Sequence, residues 1–162
     1  MGIFYKEECT VENCFICDKH ARRLQVSGDC IFEDDYIYIS HIDKKGKPTY
    51  LGHIMLDLKR HVPQIGDMSE EEAAAFGIAM KRAARALQET LQAEHVYTLV
   101  SGNAVPHVHM HIIPRYAGTP ETYWGPMNVY DWPDAPYGGE SEIKEVTAKL
   151  QCFMKENFHA NV

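Results

Sequence analysis

Several absences bound this 162-residue chain before any motif is considered. No apolar run approaches the roughly 18–20 residues of a membrane-spanning helix, so no membrane partner is expected. The opening residues Met1-Gly2-Ile3-Phe4-Tyr5-Lys6-Glu7-Glu8 lack the apolar core of a signal peptide. Gly2 is followed by Cys9 and Thr10 too late for a myristoylation pattern. Positive charge is in short supply, with 16 Lys and Arg against 23 Asp and Glu and a net charge of −7. That balance gives no global pull toward nucleic acid, so any phosphate must be met by local donors. Five cysteines make an odd count, which argues against a closed disulfide framework and for a reducing, cytoplasmic setting. Repeats and low-complexity segments are missing too. With 45% hydrophobic and 24% charged residues, the chain reads as one globular domain over 1–162, large enough to bury a core.

The most informative segment is Gly102-Asn103-Ala104-Val105-Pro106-His107-Val108-His109-Met110-His111-Ile112-Ile113-Pro114-Arg115. Three histidines alternate with apolar residues, the period of a strand with one wet and one buried face. Packing does not call for this row, because imidazole gains little from burial and carries two nitrogens that must be satisfied. Positions i and i+4 of a strand lie roughly 13–14 Å apart, whereas zinc–nitrogen bonds are about 2.0–2.1 Å. One metal therefore cannot take both His107 and His111. At least one imidazole is left for other work, as nucleophile, general acid or phosphate donor.

Around this strand the pattern is α+β. Cys30 to Glu33, Tyr36 to Ile42 and Gly52 to Leu58 read as strands, with Ile37 and Ile39 on one face. Asp43-Lys44-Lys45-Gly46-Lys47-Pro48 is a turn. Ser69 with Glu72 three positions on forms a capping box opening a helix to about Ala93. That helix carries Phe76, Met80, Ala83, Leu87 and Leu91 as a core stripe. Val96 to Val100 and His107 to Ile113 form a second hairpin. Residues 1–20 read as irregular, 116–140 as loop, and Ser141 to Asn157 as a last amphipathic helix. Cys14-Phe15-Ile16-Cys17 offers two thiolates to a tetrahedral zinc whose other ligands lie elsewhere. Two other readings stay open: a redox pair, though no βαβ pattern surrounds it, and two buried reduced cysteines. The aromatic, proline-rich segment 123–133 either stacks on a base or packs across a dimer.

His107-Val108-His109-Met110-His111-Ile112-Ile113 resembles the His-φ-His-φ-His-φ-φ signature of the histidine triad (HIT) family, φ being apolar. Ile31-Phe32-Glu33-Asp34-Asp35 with Tyr36 to His41 resembles its first hairpin, and Gly52 to His61 its Gly-His-x-φ-φ-φ-Pro-Lys-x-His segment. The cysteine pair sits where many bacterial members carry Cys-x-x-Cys, so the resemblance covers about 9–116. It implies a HIT-like fold, an antiparallel sheet of about five strands with one long helix and a C-terminal helix over 141–158, in a homodimer.

The resemblance also implies an enzyme that cleaves a phosphoanhydride or phosphoramidate bond of a nucleoside monophosphate derivative through a nucleotidyl-histidine intermediate. His109 matches the nucleophile and His111 the donor toward phosphate or leaving group. Asn103 stands near where relatives place Gln or Ser, and an amide there would assist as a further donor. Structural zinc would be held by Cys14, Cys17, His61 and His107. The nucleotide would be bound by His41, Asp43, Asn103, His109 and His111, although the family's His-Asp at the end of the second strand is here His41-Ile42, with Asp43 one place late. The loop before the triad is shorter than in many relatives. Phosphorolysis or uridylyl-type transfer is the alternative chemistry, and a non-catalytic, zinc-stabilised nucleotide-binding module is the alternative class.

Overall fold

A computed structural model describes residues 13–158; the reading of the first residues as leaderless lies outside them. The core follows from the period-2 strands and the helical stripe. Strands β1 (Phe32–Glu33), β2 (Ile37–His41), β4 (Ile54–Leu58), β5 (Ala93–Leu99) and β6 (His109–Tyr116) form one sheet in the order β1-β2-β4-β6-β5. Every neighbouring pair in it is antiparallel. The register aligns Ile37 with Leu58, Ile39 with Leu56, Leu56 with Met110 and Ile54 with Ile112. Those side chains share one face and bury against Phe76, Ala79, Ala83, Ala86 and Leu87 of helix α2 (Glu70–Leu91). Each fully buried aliphatic chain contributes roughly 1.5–3 kcal/mol relative to exposure. Helix α3 (Glu140–Phe158) adds Val146, Leu150 and Met154 to the same core.

The capping box forms as expected: Ser69 Oγ accepts from Glu72 N–H and Glu72 Oε2 accepts from Ser69 N–H. Arg60 grips the same Glu72 carboxylate at 2.7 Å and 2.8 Å, tying the helix start to the end of β4. Helix α2 stops two residues earlier than expected, because Gln92 adopts a left-handed conformation (φ 57°) and Ala93 already pairs with Tyr116. The second hairpin is likewise displaced. Strand β5 begins at Ala93, and β6 begins at His109 and continues through Pro114 to Tyr116. Pro114 lacks an amide proton but still accepts from Tyr50 O–H at 2.9 Å, which holds the strand end in place.

Two elements differ from the sequence reading. Residues 15–20 were expected to be irregular but form the short helix α1 (Phe15–His20). A small separate ladder joins β3 (Thr49–Tyr50) to β7 (Tyr137–Gly138), fastening the loop-rich segment to the turn after β2. Gly52 governs the next turn, between β3 and β4. It has φ +84°, and a Cβ there would meet Tyr116 Oη at 2.5 Å and Pro114 Cγ at 2.9 Å.

Candidate active site and metal centre

On the other face of the sheet the register builds two rows: Tyr38, Asp57 and His109, then Ser40, Met55 and His111. The sequence pattern predicts this face to be wet. It is instead covered: His107 and His109 are buried and His111 is half-buried. The cover is α1. Its Ile16 and Cys17, with Cys14 just before it, pack on Met55 and Val105, and Lys19 reaches Ser40 at 3.3 Å. Helix α1 was not foreseen, so neither was the enclosure.

Within the enclosure, His109 Nδ1 lies 2.6 Å from the carbonyl of His107. A carbonyl accepts only, so Nδ1 carries the proton and Nε2 carries the lone pair. His111 is oriented differently. Its Nδ1 is 2.9 Å from His53 Nε2, and its ring centre is 5.3 Å from that of His109. The far side of His53 meets the hydroxyl of Tyr130. Burial lowers the pKa of His111, with the neighbouring His109 adding to the effect. Burial also holds His53 well below the usual imidazole range, helped by His111, His41 and Lys44. Both rings are therefore neutral near pH 7.

Beside His109 lies a buried polar cluster. Asp57, wholly inaccessible, forms an ion pair with the Lys19 ammonium and accepts from His20 Nε2 at 3.1 Å. Burial pushes the Asp57 carboxyl up, but the ammonium and the His20 contact outweigh it and hold the carboxyl well below its ordinary range. Asp57 Oδ1 and His20 Nδ1 have no hydrogen-bond partner among the described residues. Sequence reading missed this cluster, although one signal was present: a single acid inside the apolar run Ile54-Met55-Leu56-Asp57-Leu58.

At the end of the triad strand nearest α1, Cys14, Cys17, His61 and His107 bring four candidate ligand atoms within 4.8 Å of one another. His107 Nδ1 is 3.5 Å from both Cys14 Sγ and Cys17 Sγ, and Cys17 Sγ is 3.4 Å from His61 Nδ1. Bond lengths of about 2.3 Å to sulfur and 2.0–2.1 Å to nitrogen at tetrahedral angles put sulfur and nitrogen about 3.6 Å apart, so the four residues fit a zinc ion. His107 Nε2–H donates to the Leu58 carbonyl at 2.6 Å, turning Nδ1 and its lone pair into the cluster. Burial lowers the His107 pKa to about 4, which keeps the ring in its ligating, neutral form. Cys14, Cys30 and Cys152 are free thiols, whereas Cys17 is in a disulfide. The two thiols of the motif are thus not joined to each other, and a four-ligand centre belongs to the protein with Cys17 reduced.

The expected nucleotide contacts fare unevenly. His41 uses both nitrogens within the chain, Nδ1–H donating to Ile42 O at 2.8 Å and Nε2 accepting from Gly52 N–H at 2.9 Å. Asp43 accepts from Ser27 N–H at 2.5 Å and Lys45 N–H at 2.8 Å, which makes it a turn cap. His41 pairs with Ile54 on the core side of the sheet, and the polar groups of both residues are already engaged within the chain. Asn103 is exposed in the bend before His107, and its amide has no partner among the described residues. Arg115 stacks on Trp124, its guanidinium 3.9 Å from the ring centre, so the aromatic segment covers a cation there.

A family model for the HIT domain matches residues 23–118. Among curated proteins, the nitrilase and fragile histidine triad fusion protein NitFhit of Caenorhabditis elegans is 36% identical over 81 residues, 44% of this chain and 18% of that protein. The bis(5'-adenosyl)-triphosphatase of Dictyostelium discoideum is 31% identical over 74 residues, 43% of this chain and 50% of that protein. This chain's matched part thus spans no more than half the length of either relative. The purine nucleoside phosphoramidase of Escherichia coli is 27% identical over 97 residues, 56% of this chain and 79% of that protein. Among solved structures, a zinc-bound histidine triad family protein from Mycobacterium smegmatis shares the fold with a TM-score of 0.66 and 20% identity, over 92% of this chain and 98% of that one.

Proposed function

The chain belongs to the HIT family, and from that premise we propose that it transfers a nucleoside monophosphate group from a dinucleoside polyphosphate or a nucleoside phosphoramidate to water, with His109 as the nucleophile. The observation that carries this reading is the 2.6 Å contact of His109 Nδ1 with the His107 carbonyl, which leaves the Nε2 lone pair available. Relatives named as a bis(5'-adenosyl)-triphosphatase and a purine nucleoside phosphoramidase support the substrate class. In the first step Nε2 bonds to phosphorus, and the bond from phosphorus to the leaving oxygen or nitrogen breaks, its electron pair departing with the leaving group. In the second, water bonds to phosphorus, releases a proton, and the phosphorus–Nε2 pair returns to His109. The backbone carbonyl keeps the Nδ1 proton in place throughout and stabilises the positive charge that the ring carries in the intermediate.

His111, neutral and with Nδ1 turned to His53, presents Nε2 to the phosphate or the leaving atom, where a donor is worth most as charge builds. Asn103 supplies a second donor from the exposed bend. In the reduced protein Cys14, Cys17, His61 and His107 would hold zinc. With all four positions taken by the protein, such an ion would supply structure rather than chemistry, and Cys14 and Cys17 would fasten α1 over the histidine face. The domain acts over 1–162 as a homodimer in the cytoplasm.

His109→Ala tests the nucleophile. Turnover should fall by several orders of magnitude while nucleotide affinity and melting midpoint stay close to wild type, because the lost group acts in chemistry rather than in ground-state binding. Near-normal kcat in that variant would remove the covalent mechanism.

A further inference from the structure

Tyr130 sits in a short 3₁₀ turn (Asn128–Asp131) of the loop-rich segment, far in sequence from the triad. Its ring packs on Tyr50, with centres 5.1 Å apart, and the Lys44 ammonium lies 5.6 Å from its centre. Its hydroxyl meets His53 Nδ1, and His53 Nε2 stands 2.9 Å from His111 Nδ1. Three polar groups thus form one unbroken chain that ends at His111.

We propose that Tyr130 is a positioning residue that sets the tautomer of His111 through His53. A neutral imidazole donates from one nitrogen and accepts at the other. Once the phenol donates to His53 Nδ1, the His53 proton must sit on Nε2. That N–H then donates to His111 Nδ1, and the His111 proton must sit on Nε2, beside His109. With the opposite polarity, the phenol proton would need another acceptor, and there is none among the described residues. It would also present a lone pair where an anionic phosphate requires a donor. The ring contacts with Tyr50 and Lys44 fix where the phenol points, so the β3–β7 ladder that anchors this segment also serves the catalytic face.

The kinetic consequence rests on the chemistry proposed for His109 and His111; the tautomer does not. The test is Tyr130→Phe, read in two ways. Nitrogen-15 shifts of the histidine rings in the resting, zinc-loaded protein should show Nε2–H at His53 and His111 in the wild type. In Tyr130→Phe, His111 should become a mixture of tautomers. Against nucleoside phosphoramidate substrates, kcat should fall about tenfold with KM within about twofold, the pattern of a lost transition-state donor. Tyr36→Phe, on the exposed turn before β2 and outside the chain of contacts, should match wild type. An Nδ1–H tautomer of His111 in the wild type, or an unchanged tautomer in Tyr130→Phe, would overturn the proposal. A wild-type protein that turns over no nucleotide would instead sink the activity reading, and the nitrogen shifts would still decide the role of Tyr130.

Discussion

Replacing Lys19 by methionine removes the charge partner of a carboxylate that has no access to water. Asp57 is fully buried and the Lys19 side chain is 3% exposed, so water cannot take over when the ammonium is lost. Breaking a buried pair from one side costs about 3–5 kcal/mol, because the remaining charge is left uncompensated. His20 retains its 3.1 Å contact with the same oxygen, which places the expected cost near the lower end, about 3 kcal/mol. At this chain length that corresponds to a drop in melting midpoint of roughly 6–12 °C. The paired variant Lys19→Met/Asp57→Leu removes both charges and the unpartnered Asp57 Oδ1, and should return to within about 1 kcal/mol of wild type. Urea unfolding of the four proteins of the cycle measures the coupling directly. If Lys19→Met costs less than about 1 kcal/mol, or if the double variant is as unstable as the sum of the singles, the buried pair is not what holds α1 to the sheet.

Cys14→Ser, purified with a reductant, should lose most of the roughly one zinc per chain expected for a closed site and melt at a lower temperature; atomic absorption and calorimetry read both, and full zinc retention would count against Cys14 as a ligand. Burial depresses the pKa values of His41 and His53, so the unfolded chain binds more protons than the folded one below about pH 6.5. Stability should accordingly be level above that pH and fall on acidification toward pH 5, by at most about 1.4 kcal/mol per pH unit for each group; a midpoint that rises over this range contradicts the sign. Asn103→Ala should lower kcat and kcat/KM together, about tenfold, in steady-state assays, since its amide is assigned to the transition state; a change in KM alone would assign it to ground-state binding. Single-stranded oligonucleotides should not compete with mononucleotide substrate for this chain of net charge −7.

The residues that local patterning controls were legible. Alternation in Ile37–His41 and His109–Tyr116 and the Ser69–Glu72 box gave the sheet and the long helix, because burial and capping act over a few neighbouring positions. Cys14, Cys17, His61 and His107 were grouped from a family resemblance, and the chain does bring them together. What escaped depends on contacts between distant segments. Helix α1 is six residues long, too short to stand out by its own periodicity, and it is held by partners 21 to 90 positions away. The Lys19–Asp57 pair and the Tyr130–His53 contact leave no periodic trace, since each joins two segments distant in the sequence through a single side-chain contact. His41 and Asp43 stand out as polar residues near a turn, but only the folded backbone shows that their polar atoms are already used at Ile42, Gly52, Ser27 and Lys45.

The central claim is that His109 Nε2 bonds covalently to the phosphorus of the substrate. Rapid mixing of the protein with a nucleoside phosphoramidate, followed by an alkaline quench that preserves phosphorus–nitrogen bonds and mass spectrometry of the digested chain, tests it most directly. A nucleoside monophosphate adduct on the peptide bearing His109, formed and lost at rates consistent with turnover and missing from His109→Ala, is the predicted result. Product released at the normal rate with no adduct, or an adduct on His107 or His111 with His109 unmodified, would contradict it.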